Sequence, residues 1–383
     1  MSSALWGRAF QPAQPSSDEQ PSQSTPTPTG RVVVALSGGV DSAVACALLV
    51  EQGYEVIGLM MRLWAESAVD RSPLNRCCSL EAVDDARAVC RHLGIPFYVL
   101  NYEMPFVQRV VEPFVVDYSR GLTPNPCLAC NRHLKFGVLL ERALALDARY
   151  LATGHYARVA CTDGRCELRR SRDRDKDQTY ALYMLGPREL RHVLFPVGEL
   201  RKGQVRQAAH DLSLPVAGKP ESQEICFIPD DDYRRFLQSR IPEAFRPGPI
   251  VDRAGHVLGQ HQGLPCYTIG QRKGLGIAAA EALYVLEIDA ARNTLVVGPE
   301  RELGRQALVA EEVNWVAGAP PPGPVAATVK IRLHGRETPA TVTPLAEGRA
   351  HVALAQPQRD VTPGQAAVFY QGDLVLGGGI IAR

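Results

Sequence analysis

The 383-residue sequence predicts an α/β protein, in which a doubly wound parallel-sheet domain is followed by a small β-rich central module and a C-terminal antiparallel β-barrel. Three observations lead to this prediction. Strand-like and helix-like segments alternate from Arg31 to Thr153, as they do in parallel sheets built from βαβ units. Turn signals crowd residues 246–300, which favours short strands. From about Gln306 onward, apolar and polar residues alternate with period two, which is typical of antiparallel strands in a barrel.

Each element of the first domain has its own local signal. The β-branched run at residues 32–36 predicts a strand, and the apolar residues with helical spacing that follow it predict a helix. Gly94, with Pro96 beyond it, marks the end of a helix that begins near Leu80. The remaining expected strands cover residues 55–60, 97–100 and 150–153, and the remaining expected helices cover residues 105–118 and 133–146.

We divide the chain at the points where its composition changes. Residues 1–29 are rich in Pro, Ser, Thr and Gln and are expected to form a disordered tail. The α/β domain is assigned to residues 30–229, the central module to residues 230–303 and the barrel to residues 304–383. Within the barrel, Gly372 between two apolar runs predicts a terminal hairpin.

The composition indicates which cellular compartment and which kinds of partner to expect. The tail lacks an apolar core, so it does not resemble a secretory signal, and no apolar run approaches the roughly eighteen residues of a membrane span. A cytoplasmic protein without a membrane partner is therefore expected. The net charge is only +1, so a nucleic-acid surface would have to be a local patch. Ten cysteines in a reducing compartment are expected to be thiols and not a disulfide framework.

Several polar groups have an ordinary structural explanation. Residues 169–174 carry mixed charge and are expected to form a solvated hairpin. Arg272 and Lys273 lie in a Gly-rich loop, where they either grip phosphate or are simply exposed loop residues. A core or surface position without a chemical role is the default for Cys77, Cys78, Cys90, Cys161, Cys166 and Cys266.

The most informative stretch is the turn at residues 37–42, Ser-Gly-Gly-Val-Asp-Ser, between the first strand and the first helix. Backbone N–H groups at a helix N-terminus favour an anionic phosphate, and Gly38 and Gly39 let the backbone approach it closely. Asp41 could hold Mg²⁺ against the phosphate oxygens. The turn lacks the Gly-Lys-Ser/Thr ending of a Walker A loop, which argues against transfer of a γ-phosphate.

A Cys-x-x-Cys pair is the second chemical signal. Cys127 and Cys130 could form a redox couple or half of a metal site, or their spacing could be coincidental. Pro126 predicts that the next helix begins only after Asn131. Cys226 is the natural distant third thiol, although its apolar neighbours alone favour a buried core position.

Taken together, these motifs resemble the bacterial tRNA 2-thiouridylase family, a branch of the pyrophosphatase-loop enzymes. The resemblance covers essentially everything after residue 30. It implies ATP-dependent 2-thiolation of the wobble uridine of tRNA, in which adenylation makes the C2 oxygen a leaving group and AMP and pyrophosphate are released. The matching stretches are residues 35–42, 121–126, 130–131, 135–136, 152–156, 175–178, 194–198, 225–228, 261–263, 269–276 and 362–365.

The resemblance also implies the position of ATP and Mg²⁺. Asp41 would hold Mg²⁺ through the bound ATP. The residues that the resemblance assigns to ATP are Ala35, Leu36, Ser37, Gly38, Gly39, Val40, Asp41, Ser42, Met61 and Gly154.

Sulfur transfer is implied to depend on Cys130 as the nucleophile and Cys226 as the persulfide carrier. A helix beginning just beyond Cys130 is expected to stabilise its thiolate and lower its pKa. The target base is implied to meet Asn125, Pro126 and Cys127. Many family members have Asp where this chain has Cys127, so a carboxylate role does not transfer. Cys127, Cys130 and Cys226 could instead hold an iron–sulfur cluster with one open iron, and this alternative stays open beside the persulfide relay.

The implied partners are a tRNA with a wobble uridine, of the Lys, Glu or Gln type, and a persulfide sulfur-carrier protein. A monomer is expected. On its own, His155 would be interpreted as a satisfied structural histidine. The residues that the resemblance assigns to tRNA contact are His155, Lys176, Asp177, Gln178, Arg332, Leu333 and Gln365.

The residues also leave two other functions open. Another pyrophosphatase-loop enzyme, such as an amidotransferase that uses ammonia, would need neither Cys130 nor Cys226. An RNA-binding redox or iron–sulfur sensor with a vestigial nucleotide site would release no pyrophosphate.

Overall fold

The computed structural model describes residues 30–64, 80–220, 225–228 and 230–383. The expected disorder of residues 1–29 and the expected positions of Cys77 and Cys78 lie outside the described residues. None of the described helices combines the length and the apolarity that crossing a bilayer requires.

The described chain contains strands in all three predicted parts. The strands are β1 (Arg31–Ala35), β2 (Glu55–Arg62), β3 (Phe97–Asn101), β4 (Tyr150–Thr153), β5 (Ala157–Thr162), β6 (Arg165–Arg170), β7 (Val193–Leu194), β8 (Gly248–Val251), β9 (Val257–His261), β10 (Leu283–Asp289), β11 (Thr294–Pro299), β12 (Arg305–Trp315), β13 (Val325–Lys330), β14 (Thr338–Leu345), β15 (Arg349–Gln358), β16 (Ala366–Gln371) and β17 (Leu374–Ile381).

Most of the helices belong to the first domain. The α-helices are α1 (Val40–Glu51), α2 (Leu80–Leu93), α3 (Glu103–Phe106), α4 (Glu112–Ser119), α5 (Pro126–Ala129), α6 (Leu140–Leu144), α7 (Pro187–Leu190), α8 (Lys202–Asp211) and α9 (Tyr233–Arg240). A π-helical segment, Val107–Val111, joins α3 to α4, and another, Cys130–Leu139, joins α5 to α6. Short 3-10 turns cover Thr179–Ala181, Pro242–Phe245, Leu264–Cys266 and Glu300–Glu302.

The first domain is built on a five-stranded parallel sheet in the order β3-β2-β1-β4-β7. Alternate residues of the buried strand β1 point to opposite faces, which confirms the doubly wound arrangement. Val33 packs with the helical run 126–144, whereas Val32 and Val34 pack with α1 and α2. Because strand order reverses between β1 and β4, a crevice opens at their carboxyl ends, where such sheets bind ligands.

The helix that carries the Cys-x-x-Cys pair begins earlier than predicted. Its expected start after Asn131 is wrong, because α5 begins at Pro126 and continues without a break through α6. Proline is well suited to the first helical position, where its missing N–H would have no partner within the helix. Asn125 is the N-cap, and its side-chain oxygen accepts a hydrogen bond from the Cys127 N–H at 3.0 Å.

The two C-terminal parts match the predicted architecture. The central module contains α9 and a four-stranded sheet in the order β10-β11-β8-β9. Six strands, in the order β12-β15-β14-β13-β16-β17, form the barrel, and antiparallel pairing of β12 with β17 closes it. The predicted terminal hairpin is confirmed as β16 and β17.

The barrel sheet also incorporates a hairpin from the first domain. Strands β5 and β6 pair with each other, and β6 joins β17 through Arg169 opposite Leu374. The two domains therefore share a continuous hydrogen-bonded sheet and are not simply packed against each other.

The expectation of a fully solvated charged hairpin at residues 169–174 is wrong for Arg170. Its side chain is only 4% exposed, and it pairs with Glu337 at 2.7 Å and with Asp177 at 3.7 Å. The guanidinium also lies 3.5 Å from the centroid of the Tyr370 ring, and Nε donates to the Gly372 carbonyl. A buried cation is tolerated here because two carboxylates and an aromatic face replace its water.

The default assigned to Cys161 and Cys166 is also wrong. These residues face each other across the β5–β6 hairpin and form a disulfide. Sequence alone gave no reason to pair them, because a separation of five residues becomes a direct cross-strand contact only once the hairpin turn is known.

We expect Arg170→Met to destabilise the protein by about 3–5 kcal/mol, because it leaves the buried Asp177 carboxylate without its cation. Arg169→Met is the matched control. Its side chain is 42% exposed and pairs with the exposed Glu167, so a change within about 0.5 kcal/mol is expected. Urea unfolding followed by tryptophan fluorescence measures both. Equal effects of the two substitutions would show that the contacts of the buried Arg170 guanidinium with Asp177 and Glu337 do not stabilise the protein.

Candidate nucleotide and thiol site

A cavity of about 550 Å³ lies at the carboxyl ends of the parallel strands. It brings together the phosphate-type turn after β1, the start of the thiol-bearing helix and the loop that carries Cys226. All ten residues that the resemblance assigned to ATP line this cavity, as do Pro126, Cys127, Cys130, His155, Lys176, Gln178 and Cys226.

The turn after β1 is held open by its own hydroxyls. Ser42 Oγ accepts a hydrogen bond from the Ser37 N–H at 3.3 Å and donates one to the Gly39 carbonyl at 3.1 Å. Gly38 has a φ of +74°, and a Cβ there would lie 2.7 Å from the Ala82 carbonyl oxygen. Glycine is therefore required at this position, both for the backbone conformation and for the contact with α2.

The carboxylate of Asp41 is fixed by two residues to which the sequence interpretation gave no role. Lys202 Nζ donates to both carboxylate oxygens, at 2.7 and 2.8 Å, and the Tyr156 hydroxyl donates to one of them at 2.8 Å. Lys202 is the first residue of α8, shortly after the matched stretch 194–198. Its place just beyond that matched stretch is the sequence signal that pointed towards it.

Among the described residues that line the cavity, basic side chains outnumber acidic ones. Two carboxylates line it, those of Asp41 and Glu81. The basic side chains that line it are Lys135, Lys176, Lys202, Arg206 and Lys219. A protein of net charge +1 thus concentrates cations in one cleft, which suits a polyphosphate ligand.

The three thiols of interest meet in the same cavity but differ in exposure. Cys127 is exposed to the cavity, Cys130 is buried and Cys226 is half-buried. Desolvation by the surrounding cavity wall raises the pKa of the Cys127 thiol, while the Lys135 ammonium lowers it by less. The expected helix beginning beyond Cys130 is wrong, so the N-terminal field of the helix acts first on Cys127.

The side chains fit the expected metal groups to different degrees. Asp41 can supply the single carboxylate with which proteins often hold Mg²⁺ against phosphates. Across the described ranges, no three His, Cys, Asp or Glu side chains are placed so that they could hold a metal ion. Cys127, Cys130 and Cys226 line one cavity without forming such a group, and the iron–sulfur cluster stays a prediction beside the persulfide relay.

His155 is neutral near pH 7 and is packed in an aromatic environment. Its Nδ1 lies 2.7 Å from Thr153 Oγ1, and its ring contacts Phe136 and Phe195. Burial lowers the pKa of His155 well below its usual value, and the Lys135 ammonium lowers it further. The His155 side chain therefore has internal hydrogen-bond and packing partners, and it also forms part of the cavity wall.

Other residues assigned to tRNA lie elsewhere and make internal contacts. The buried Asp177 carboxylate accepts hydrogen bonds from the Ser171 N–H and the Thr179 hydroxyl. Leu333 packs against a core cluster that the first domain shares with the barrel. Arg332 pairs with Asp360 at 3.3 Å, and Gln365 Nε2 donates to the Thr123 carbonyl at 2.7 Å. Asn125, the helix cap, is likewise outside the cavity wall. The RNA contacts of Asp177, Arg332, Leu333 and Gln365 stay predictions. The contact of Asn125 with the target base also stays a prediction.

Three family models match consecutive parts of the chain. A tRNA methyl transferase HUP domain matches residues 30–230, a tRNA methyl transferase PRC-barrel domain matches residues 234–299, and an aminomethyltransferase β-barrel domain matches residues 305–381. A solved structure titled as a 4-thiouridine synthetase–RNA complex with bound ATP aligns with 56% of this chain and 51% of its own at 16% identity. Its TM-score is 0.33, which is a distant likeness.

Curated relatives match over most of their length. The tRNA-specific 2-thiouridylase MnmA of Symbiobacterium thermophilum is 51% identical over 359 residues, which is 92% of each chain. The protein of the same name from Chloroflexus aggregans is 51% identical over 355 residues, which is 92% of this chain and 98% of the relative. At this identity and coverage, the chain belongs to the MnmA family of tRNA-specific 2-thiouridylases.

Proposed function

We propose that this chain is a tRNA-uridine 2-sulfurtransferase that uses ATP to replace the C2 oxygen of the wobble uridine with sulfur. The observation that carries the proposal is the shared cavity, in which a phosphate-type turn and three cysteines face the same space. Oxygen activation and sulfur attack must occur at one carbon atom, so the two sets of residues have to be within reach of one base.

The first half of the reaction is assigned to the turn after β1 and the basic side chains around it. Backbone N–H groups at the start of α1 would bind the phosphates, and Lys202 would stabilise the negative charge that builds up as pyrophosphate leaves. When bound, Mg²⁺ supplies charge neutralisation on the phosphate oxygens, and Asp41 is the residue that would hold it. Attack of the C2 oxygen on the α-phosphorus forms the adenylated base.

The second half is assigned to Cys226 and Cys130. Cys226 would carry the sulfur as a persulfide, delivered by a sulfur-carrier protein. Attack of the Cys130 thiolate on the inner sulfur forms a Cys130–Cys226 disulfide and releases the outer sulfur as hydrosulfide. Addition of hydrosulfide to C2 then expels AMP, so that the two electrons that reduce the outer sulfur come from the two cysteines.

The tRNA would be held around the mouth of the cavity. Lys176 and Gln178 line the cavity beside His155, where a base extruded from the anticodon loop could stack and form edge contacts. A wobble uridine of Lys, Glu or Gln tRNA is the proposed target. We also propose that the enzyme acts in the cytoplasm as a monomer.

The decisive experiment is mass spectrometry of the anticodon nucleoside after incubation with tRNA, Mg-ATP and a persulfide donor. We expect 2-thiouridine with the wild type and a loss of at least about 10³-fold with Cys130→Ser or Cys226→Ser, since each removes a reacting sulfur.

Cys266→Ser is the matched control for these two variants. Cys266 is a free cysteine of the central module outside the cavity wall, so its substitution is expected to leave the yield unchanged. Full turnover by Cys130→Ser would favour an ammonia-using relative, and a wild type that releases no pyrophosphate would favour a non-catalytic RNA-binding protein.

Lys202 gives an independent prediction about the nucleotide half of the site. Lys202→Met should weaken ATP binding by about tenfold or more, because a charge-assisted hydrogen bond is worth roughly 1.5–3 kcal/mol. Isothermal titration calorimetry with ATP measures this change.

The control is Arg201→Met, which removes an exposed cation one residue away and is expected to change ATP affinity by less than about twofold. If both variants bind ATP equally well, Lys202 has no part in the nucleotide site.

A further inference from the structure

Cys127 and Cys130 lie three residues apart on one helical run, at its first and second turns. Side chains at this spacing share a helix face, with Cβ atoms about 5–6 Å apart. A disulfide needs Cα atoms within about 4.4–6.8 Å, which this spacing can provide with little movement. Both residues also line the cavity that contains Cys226.

The two thiols differ in accessibility. Cys130 is 8% exposed, whereas Cys127 is exposed to the cavity. Under the proposed function, each turnover leaves Cys130 and Cys226 joined by a disulfide that must be reduced before the next. A reductant from solution has poor access to the buried Cys130 sulfur, but Cys127 is already beside it.

We propose that Cys127 is the resolving thiol of this chain. It opens the Cys130–Cys226 disulfide by thiol–disulfide exchange, so that the disulfide moves to the Cys127–Cys130 pair, where Cys127 is exposed to the cavity. This inference rests on the proposed function and deepens it. A Cys-x-x-Cys pair at a helix start is the arrangement of disulfide oxidoreductases, in which one accessible and one buried sulfur act together.

The proposed step balances without further groups. The Cys127 thiolate attacks Cys130 Sγ, a Cys127–Cys130 bond forms, and the Cys130–Cys226 bond breaks. Cys226 leaves as a thiolate and takes up the proton that Cys127 gave up. A dithiol reductant from solution then reduces the Cys127–Cys130 disulfide, supplying two electrons and two protons while it becomes a disulfide itself.

This role gives Cys127 a chemistry that a carboxylate at the same position could not have. The helix cap supports it, because Asn125 binds the Cys127 backbone N–H and thereby fixes this residue in the first helical turn. Desolvation raises the pKa of the Cys127 thiol, and the Lys135 ammonium, which also lines the cavity, offsets part of that rise in favour of the thiolate that exchange requires.

The first test uses the full-length protein without tRNA. The protein is equilibrated in dithiothreitol redox buffers, alkylated, digested and mapped by mass spectrometry. We expect a Cys127–Cys130 disulfide in the wild type and a Cys130–Cys226 disulfide in Cys127→Ser and Cys127→Ala. A wild type that forms only the Cys130–Cys226 disulfide in every buffer overturns the proposal, as does iron bound to these thiols in anaerobically purified protein.

The second test measures the ratio of the first-turnover rate to the steady-state rate, with a persulfide donor and a dithiol reductant. Cys127→Ser and Cys127→Ala should raise this ratio by about tenfold, because direct reduction of a buried disulfide becomes limiting. Cys266→Ser should not change it. An unchanged ratio in both Cys127 variants contradicts the proposal.

The two tests also separate this inference from the proposed function. If the wild type makes no thiolated nucleoside, the proposed function fails, yet disulfide mapping in the tRNA-free protein still decides whether Cys127 and Cys130 form a pair.

Discussion

The site depends on one close approach, between the turn that follows β1 and the turn that follows β4. A Cβ on Gly154 would lie only 2.6 Å from the backbone nitrogen of Ser42, so the two turns touch through their backbones. The reversal of strand order between β1 and β4 creates the crevice, and this contact sets its width. The turn after β1 and His155, which directly follows Gly154, are both placed at the cavity by this contact.

The sequence predicted the parts of the fold that local signals control. Local signals predicted β4 and α2 at their observed bounds, and the resemblance gathered residues that do share one cavity. Contacts between residues that are far apart in the sequence could not be predicted in this way. Lys202 binds Asp41 across 161 residues, and no pattern in either segment announces that pairing. The start of α5 was misplaced because Pro126 was treated as a helix breaker, although proline at the first helical position is favourable.

The burial of the Arg170 charge also could not be predicted from the sequence. Arg170 belongs to a stretch whose composition is typical of a solvated loop, yet its partners come from the barrel and from the 171–178 segment. Its position depends on β6 joining β17, which is a long-range strand pairing. Such pairing is specified by the assembled domains and not by the local charge pattern.

The loop at residues 362–365 of the barrel has a consequence for the thiol helix. The Thr123 N–H donates to the Pro363 carbonyl at 3.0 Å, and the Thr123 carbonyl accepts from Gln365, so this backbone unit is held at both of its polar groups. Only Pro124 separates Thr123 from Asn125, where α5 is capped. A rotation of the barrel would therefore shift the start of α5 with it.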